Sequence, residues 1–373
     1  MKIFFAGGGT GGHIFPIVAV AREIKKKEQN IELAYLGPED DFSSKTFFNE
    51  GIKTYFILSG KIRRYLNPLA LLQNIFDVFI KIPLGTIQAF LILFFTAPDL
   101  IFCKGGYGSL PAAIGGWFLG IPVFLHESDV EPGLANKIIS HISPIIFVSF
   151  SIQETAYFPA EKMVSVGNPI RPELLQVNLN SAKKEMGIKS NKPILLFLGG
   201  SQGSTRINDL ILQILSKLLK IFEIIHQTGY KDFETARINV LSFVPKELQN
   251  LYHFYPFLTE EQIKYSMALA DCVVSRAGAG TIFEIAAFHK PSILIPLPES
   301  AQNHQVKNAY AYAKTGAAIV LEEENCTPNF FLEKVVDLYE YGNLELMAKA
   351  AEKFSKPEAA SKITQYIIEF LKK

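Results

Sequence analysis

The chain has 373 residues, enough for about two domains of ordinary size. Hydrophobic residues make up 49% and charged residues 20%, which permits large cores and excludes extensive disorder. The formal net charge of +1 argues against a nucleic-acid-binding protein, because such proteins usually carry a strong basic excess. Three widely spaced cysteines follow no metal-ligand spacing, so we expect reduced thiols and no metal; they are Cys103, Cys272 and Cys326.

A glycine-rich loop, Gly7–His13, follows the first apolar run of the chain. The run Lys2–Ala6 predicts a buried strand, and Pro16 is a favourable first residue for a helix extending to about Lys27. A strand, a glycine loop and a helix in this order direct backbone N–H groups at an anion. The loop therefore indicates a phosphate or sugar site with His13 at its mouth. A tight turn without a ligand remains an alternative. A dinucleotide site is disfavoured, because the expected acidic residue after the second strand is missing.

Further strands in the first half are predicted at Ile31–Leu36, Lys53–Leu58, Leu100–Cys103, Pro122–Leu125 and Ile145–Val148. Strands that alternate with helices predict a parallel sheet with helices on both faces. Such sheets bind ligands at the carboxyl ends of their strands, where we expect the loops Gly7–His13, Gly105–Ser109 and His126–Asp129. Three polar or glycine-rich loops at one edge indicate a binding site more strongly than any one of them.

A long apolar stretch lies between the third and fourth predicted strands. It begins with a basic cluster and carries no charge between Lys81 and Asp99. Because Pro83 and Gly85 interrupt it, we do not predict a transmembrane helix. The stretch forms either core helices packed on the sheet or an apolar surface that binds an anionic membrane. The residues assigned to that surface are Lys61, Arg63, Arg64, Phe76, Phe79 and Trp117.

The second half repeats this plan after a turn-rich segment, Gly167–Pro172, which predicts a domain boundary. The predicted strands are Pro193–Leu198, Glu223–His226, Asn239–Phe243, Cys272–Ser275, Ser292–Pro296 and Ala318–Leu321. A second glycine loop, Gly199–Ser204, follows the first of these strands, and Ser201 is either a phosphate ligand or a helix cap. We expect the two halves to face each other across a cleft.

Two further loops of the second half carry polar side chains. Ser275–Thr281 leads into a helix on which Glu284 either accepts ribose hydroxyls or forms a capping box with Thr281. Gln302–Gln305 is an amide-rich helix start that suits recognition of sugar hydroxyls, unless it is only solvated surface.

Seven motifs, in order along the chain, resemble those of the MurG family of glycosyltransferases. They are GGGTGGHIFP at Gly7–Pro16, GGYGSLP at Gly105–Pro111, HESDVEPGLANK at His126–Lys137, GNPIRPE at Gly167–Glu173, GGSQGS at Gly199–Ser204, SRAGAGTIFE at Ser275–Glu284 and NHQVKNA at Asn303–Ala309. The resemblance implies the α/β GT-B fold, with two Rossmann-like doubly wound parallel-sheet domains. It implies an N-terminal acceptor and membrane-associated domain, 1–166, to which a C-terminal helix, 357–373, crosses back. It also implies a UDP-N-acetylglucosamine-binding domain, 167–356.

The resemblance further implies roles for individual residues. Those on the donor would be Thr10, Gly11, Gly12, Asp129, Arg171, Ser201, Leu258, Ala279, Gly280, Thr281, Glu284, His304 and Gln305. His13 and Tyr107 would line the acceptor side, with His13 as the catalytic base and Glu127 as the second candidate. Many family members have an asparagine where this chain has Asp129, so the side chain here accepts a hydrogen bond but donates none.

The implied reaction transfers N-acetylglucosamine, with inversion, to the 4-hydroxyl of the lipid-linked muramyl-pentapeptide in peptidoglycan synthesis. Arg171 and helix N-termini would stabilise the leaving diphosphate, and no cofactor is implied. The implied location is peripheral, on the cytoplasmic face of the bacterial inner membrane, with cell-wall synthesis proteins as further partners. Alternatives are another GT-B enzyme of UDP-sugars (a diacylglycerol glycosyltransferase or an epimerase), a non-catalytic nucleotide-sugar-binding membrane adaptor, and a dehydrogenase.

Overall fold

The structure is a computed structural model that describes residues 1–8, 11–61, 68–200 and 203–372. The chain divides into two compact units. The first unit consists of Met1–Arg171 together with Pro357–Lys373, and the second consists of Pro172–Lys356. The last helix of the chain is therefore part of the first unit.

The first unit extends a few residues beyond Gly167, where the sequence suggested the boundary. Two contacts explain why. The Nε2 atom of His126 donates a hydrogen bond of 3.0 Å to the carbonyl of Gly167. The guanidinium of Arg171 lies 4.1 Å from the ring centroid of Phe15, in a cation–π arrangement. Both contacts attach the turn-rich segment to the first unit.

In the part of the first unit that the structure describes, seven parallel strands form one sheet. They are β1 Lys2–Ala6, β2 Glu32–Gly37, β3 Lys53–Phe56, β4 Leu100–Cys103, β5 Val123–Glu127, β6 Ile145–Val148 and β7 Met163–Ser165. Their order is β3-β2-β1-β4-β5-β6-β7, so the winding reverses between β1 and β4. Successive residues of β1 point alternately into two cores, with Ile3 and Phe5 in one and Phe4 and Ala6 in the other.

The second unit has a six-stranded parallel sheet, again counted over the described residues. Its strands are β8 Ile194–Leu198, β9 Glu223–Gln227, β10 Tyr252–Tyr255, β11 Cys272–Ser275, β12 Ser292–Leu294 and β13 Ala318–Val320. The order β10-β9-β8-β11-β12-β13 reverses its winding between β8 and β11. The predicted fold class, two doubly wound parallel sheets, is therefore confirmed.

The helices lie on both faces of the sheets. They are α1 Gly11–Lys27, α2 Asp41–Asn49, α3 Pro68–Phe76, α4 Ile82–Thr96, α5 Ser109–Phe118, α6 Leu134–Ile142, α7 Leu179–Glu185, α8 Thr205–Ile221, α9 Phe233–Phe243, α10 Lys246–Gln249, α11 Glu260–Leu269, α12 Ala279–Ala287, α13 His304–Ala313, α14 Pro328–Glu340, α15 Leu344–Phe354 and α16 Ala359–Leu371. A π-helical turn, Asp77–Lys81, joins α3 to α4. Short 3₁₀ turns span Ala160–Lys162, Pro172–Leu175, Ala301–Asn303 and Glu323–Asn325.

Two sequence predictions about these elements are wrong. The predicted strand Asn239–Phe243 is the end of α9, where Ala236 and Val240 are buried at helical spacing. A short apolar run has no clear period, and here burial four residues apart decides for a helix. Helix α1 begins at Gly11, so Pro16 lies inside it and removes one backbone hydrogen bond near its N-terminus.

Candidate active site

Two glycine loops meet at the switch point of the first sheet. The loop after β1 is held by Tyr35, whose buried hydroxyl donates a hydrogen bond of 2.7 Å to the carbonyl of Gly7. The loop after β4 contains Gly106 at φ +77°. A Cβ on Gly106 would lie 3.0 Å from the Gly8 carbonyl oxygen and 3.1 Å from Nε2 of His13. The half-buried His13 imidazole therefore lies directly against the second glycine loop.

Tyr107 is the next residue of this loop and is half-buried. Burial raises the pKa of its phenol, the Asp40 carboxylate raises it further, and Lys81 lowers it. Tyr107 thus lies within electrostatic reach of the first residue before α2 and of the π-helical turn. Of the other residues predicted here, Gly11 and Gly12 form the start of α1, and Thr10 lies outside the described residues.

The end of β5 carries a buried carboxyl group. His126 and Glu127 were predicted in a loop but form the last two residues of the strand. Glu127 is 2% exposed, and its two oxygens accept hydrogen bonds from the Asp129 backbone N–H at 2.9 Å and from Asn136 Nδ2 at 2.7 Å. Burial and the neighbouring Asp129 carboxylate raise the pKa of Glu127 to about 7, although both hydrogen bonds and Lys104 oppose the shift. Glu127 supports the Asp129 turn from beneath.

Lys104 follows β4 directly and was missed by the sequence analysis. It is 1% exposed, and its ammonium donates a hydrogen bond of 2.5 Å to Ser128 Oγ. Burial lowers the pKa of Lys104 to about 8, against the opposing effect of the Glu127 and Asp129 carboxylates. Burial and the Lys104 charge together lower the pKa of His126, which stays neutral. A charge immediately after a wholly apolar strand was the signal that could have identified Lys104.

A pocket of about 380 Å³ lies at the switch point of the second sheet. Its lining includes Gly199, Gly200, Gly203, Ser204, Arg276, Gly278, Thr281, Leu297 and Gln305. A Cβ on Gly203 would lie 2.3 Å from the carbonyl of Thr228, and φ there is +78°, so only glycine fits. Ser204 caps α8, its hydroxyl accepting from the backbone of Ile207. Ser201 lies outside the described residues.

The N-terminus of α12 contributes to this pocket. Its N-cap is Gly278, and within the described chain no side chain caps the helix. The predicted Ala279, Gly280 and Thr281 form its first turn, whose backbone N–H groups have no intrahelical acceptor. Because Thr281 is the third residue of the helix, it does not act as an N-cap, and the capping-box alternative for Glu284 is wrong. Glu284 follows on α12 and is half-buried.

Arg276 fixes the loops around the pocket and was also missed by the sequence analysis. Its guanidinium donates to Ser204 Oγ at 2.8 Å and to the Ile295 carbonyl at 3.1 Å. It also forms an ion pair with Glu323. These contacts join the loops that follow β8, β11 and β12. A buried arginine in an otherwise small-residue loop, Ser275–Thr281, was the available signal.

Gln227, the last residue of β9, connects the glycine loop of the second sheet to Leu258. Its Nε2 donates to the Gly200 carbonyl at 2.8 Å, and its Oε1 accepts from the Leu258 N–H at 3.2 Å. Leu258 is buried. Since its N–H is bonded to Gln227, a backbone contact from Leu258 to a nucleobase in this conformation would use the carbonyl. The sequence analysis named Leu258 but missed Gln227.

The start of α13 brings the remaining predicted donor residues to the same edge. Gln305 Oε1 accepts a hydrogen bond from the Leu297 N–H at 3.0 Å. His304 Nδ1 donates to a backbone carbonyl three residues earlier at 2.7 Å. The preceding Gln302 and Asn303 both have left-handed backbones, with φ of 57° and 56°. Non-glycine residues pay a conformational cost there, which is a feature common at functional sites.

The apolar stretch forms one continuous helix, Pro68–Thr96, composed of α3, the π-helical turn and α4. Within the described residues it is the one helix long and apolar enough to cross a membrane by length and composition, and 17% of its apolar window is buried. The predicted interruption at Pro83 and Gly85 is wrong. The π-helical turn shifts the backbone hydrogen-bond register just before Pro83, and Gly85 permits contact with the Leu58 carbonyl.

One face of this helix packs on the unit and the other is exposed. Ala89 and Leu93 are buried near α5, whereas Phe79 is 72% and Phe95 80% exposed. Both predicted readings hold, one for each face. The remaining surface residues are exposed or undescribed: Phe76, Trp117 and Lys61 are exposed, and Arg63 and Arg64 lie outside the described residues.

Each unit thus combines a doubly wound parallel sheet with glycine loops at its switch point. Two such units in one chain define the GT-B class of nucleotide-sugar enzymes. Residues 3–147 match the glycosyltransferase family 28 N-terminal domain, and residues 194–363 match its C-terminal domain.

Relatives covering nearly the whole chain identify the family within this class. A Bacillus cereus protein named UDP-N-acetylglucosamine–N-acetylmuramyl-(pentapeptide) pyrophosphoryl-undecaprenol N-acetylglucosamine transferase 2 is 36% identical over 99% of both chains. A Clostridium tetani transferase of the same name, without the number, is 38% identical over 91% of this chain and 90% of its own. The chain belongs to this family of N-acetylglucosaminyltransferases, and the resemblance inferred from the seven motifs is confirmed.

Solved structures agree with the fold. A crystal structure of Acinetobacter baumannii MurG superposes with a TM-score of 0.72, at 24% identity and 99% coverage of both chains. A UDP-GlcNAc 2-epimerase from Neisseria meningitidis, bound to UDP-GlcNAc, gives a TM-score of 0.67 at 15% identity, over 99% of this chain and 100% of its own. At these identities the likeness concerns the fold alone.

Proposed function

We propose that the chain transfers N-acetylglucosamine from UDP-N-acetylglucosamine to the 4-hydroxyl of N-acetylmuramic acid in undecaprenyl-pyrophosphoryl-MurNAc-pentapeptide. The observation that carries this proposal is the 36% identity to a transferase of that name over 99% of both chains. The product would be the lipid-linked disaccharide precursor of peptidoglycan. The N-terminal domain, 1–166 with the helix 357–373, would bind the acceptor and the membrane. The C-terminal domain, 167–356, would bind the donor.

In the donor site, the N-terminus of α12 would bind the diphosphate. The uncapped N–H groups of Ala279–Thr281 and the glycine loop after β8 form a suitable anion cradle. Glu284 would accept the ribose hydroxyls, and Gln305 with His304 would bind the sugar. Arg171 would add a positive charge for the departing UDP, without a metal.

In the acceptor site, His13 would remove the proton from the attacking hydroxyl. Its half-buried imidazole lies between the two glycine loops of the first sheet, next to Tyr107. Glu127 is buried, and both of its oxygens accept hydrogen bonds from the protein. These contacts favour a supporting role for Glu127 and leave His13 as the base.

The enzyme would act as a peripheral protein on the cytoplasmic face of an anionic membrane. The exposed face of the helix Pro68–Thr96 supplies apolar area, and Lys61 lies at its basic edge. The buried face packs near α5 and ties the helix to the folded unit, which supports surface attachment over a separate span.

A direct transfer assay tests the proposed function. Purified protein is incubated with radiolabelled UDP-N-acetylglucosamine and a lipid-linked muramyl-pentapeptide, and the lipid phase is counted. We expect label in that phase only when both substrates are present. Transfer to diacylglycerol, epimerised UDP-sugar without transfer, or donor binding without turnover would each contradict the proposal and identify a different activity.

A further inference from the structure

The buried ammonium of Lys104 requires compensation. Moving an unpaired charge into a protein interior costs several kcal/mol, roughly, so buried lysines are rare unless they are paired. Lys104 is 1% exposed, and its one printed hydrogen bond is to a neutral hydroxyl, Ser128 Oγ, at 2.5 Å. Its charge must therefore be balanced by groups beyond that hydroxyl.

The balancing groups lie at the end of the neighbouring strand. The carboxylates of Glu127 and Asp129 both favour the charged form of Lys104, and His126 on the same strand is neutral. Glu127 is itself buried and bonded to the backbone of Asp129 and to Asn136. Asp129 is only half-buried, so it is the member of this group that reaches the edge of the sheet.

Asp129 also occupies the position that the family motif assigns to the donor sugar. A carboxylate and an amide present different chemistry there, because an ionised carboxylate accepts hydrogen bonds and donates none. An ionised carboxylate beside a buried Glu127 would be repelled by it unless a cation lies nearby. Lys104 supplies that cation from below the Ser128–Asp129 turn.

We propose that Lys104 is a positioning residue whose buried ammonium keeps Asp129 ionised, so that the site selects a hydroxyl or amide N–H of the substrate sugar as hydrogen-bond donor. This inference rests on the proposed function. It assigns Lys104 and Asp129 as a matched pair, in which neither the lysine nor the carboxylate is expected to work well without the other.

A double-mutant cycle tests the pairing. Lys104→Met leaves Asp129 without its cation and should lower kcat/KM for transfer by about 10- to 100-fold, the loss expected for one charged interaction. Asp129→Asn removes the carboxylate but leaves the ammonium under-compensated, and should also lower kcat/KM. The double variant K104M/D129N presents a neutral pair and should recover at least about tenfold relative to K104M. Lys45→Met, an exposed lysine on α2, is the control and should behave as wild type.

The same cycle in urea unfolding provides a readout that needs no substrate. Coupling between positions 104 and 129 in the free energy of unfolding is expected, because one charge stabilises the other. If the wild type transfers sugar and the two substitutions are additive in both unfolding and kcat/KM, the inference is overturned. If the wild type transfers no sugar, the proposed function fails, and coupling or additivity in unfolding still decides the pairing.

A pH profile decides the case in which K104M does not fold. Asp129→Asn removes a carboxylate that raises the pKa of Lys104, so the ammonium should deprotonate at lower pH than in the wild type. We expect the alkaline loss of activity to begin at lower pH in D129N. An unchanged alkaline limb would overturn the inference.

Fluorinated donors identify the chemistry that Asp129 recognises. Fluorine in place of a hydroxyl cannot donate a hydrogen bond to a carboxylate. One UDP-N-acetylglucosamine analogue from a set with single fluorine replacements should lose about tenfold or more in kcat/KM with wild type, and much less with K104M/D129N. Equal losses in both proteins for every analogue would contradict a specificity role.

Discussion

At Glu127, burial and hydrogen bonding act on one carboxyl group in opposite directions. Burial is the larger effect and, with Asp129, raises the pKa of Glu127 to about 7. The folded protein therefore keeps a proton that the unfolded chain releases at lower pH. Stability from this group is fully present below the ordinary pKa near 4.5 and is lost as the pH rises through about 7.

Glu127→Gln should remove this pH dependence, because the amide stays neutral. Between pH 5 and pH 8 the wild type is expected to lose about 1–3 kcal/mol more stability than E127Q, from the linkage between pKa and folding. Urea unfolding at both pH values measures the difference. Glu161→Gln, at an exposed position of the same unit, should leave the wild-type pH dependence intact. Equal slopes for E127Q and wild type would show that Glu127 does not titrate in this range.

For His13, the expected change is in turnover. His13→Gln keeps a polar side chain of similar reach but has no basic nitrogen, and should lower kcat by about 10²- to 10⁴-fold. Donor affinity should change little. His141→Gln, on the exposed end of α6, serves as the matched control. Nearly full turnover of H13Q with saturating acceptor would exclude His13 as the base.

At the scale of the elements, the helix Pro68–Thr96 has one register of contacts on each side of its π-helical turn. Asp77 in that turn is buried and forms an ion pair of 2.9 Å with Lys81. The turn holds an extra residue, so the faces of α3 and α4 differ in direction from those of a regular helix. This feature lets Ala70 on α3 and Leu93 on α4 both reach the unit while most of the helix stays exposed.

Membrane attachment is expected to depend on that exposed face. The double change Phe79→Glu and Phe95→Glu should abolish flotation with vesicles rich in anionic lipid, because two buried aromatic contacts with the lipid are replaced by repelled charges. Phe48→Glu, on α2 and 81% exposed, is the control and should float as wild type. Full flotation of the double variant would move the attachment site elsewhere. Release of the wild type by an alkaline wash would agree with peripheral binding.

The sequence predicts elements well where a pattern is local. Gly7–His13 and Gly199–Ser204 identify the two switch-point loops, because only a close backbone approach explains so many glycines. It fails where the outcome depends on tertiary contacts. Asn239–Phe243 has a strand-like composition but is helical, and Lys104 shows its importance only when the neighbouring strand brings carboxylates to it.

At the scale of the whole molecule, the first unit is completed by the last helix of the chain. Ala360, Ile363 and Ile367 on α16 belong to the same core cluster as residues of α1 and β1. This contact joins the two ends of the chain, and periodicity within α16 predicts an apolar face but not the partner it packs against. The motif order suggested the return to the first domain, and the structure provides the side chains that make it.

Ile363→Ala should destabilise the first unit by about 2–5 kcal/mol, the usual cost of a cavity at a fully buried aliphatic position. Lys362→Ala, its exposed neighbour, should cost less than about 0.5 kcal/mol. Trp117 is the sole tryptophan and lies in the first unit, so its fluorescence in urea reports that unit. Equal midpoints for the two variants would mean that α16 adds little to the first core.

The return of α16 also sets an order of events during synthesis. A ribosome produces Met1–Arg171 first, but the apolar surface of α1 that receives α16 stays uncovered until the second unit has been translated. At about 5–20 residues per second, the intervening chain takes roughly 10–40 seconds. A nascent first unit therefore waits with part of its core open, and the N-terminal half should depend on chaperones longer than its place in the chain suggests.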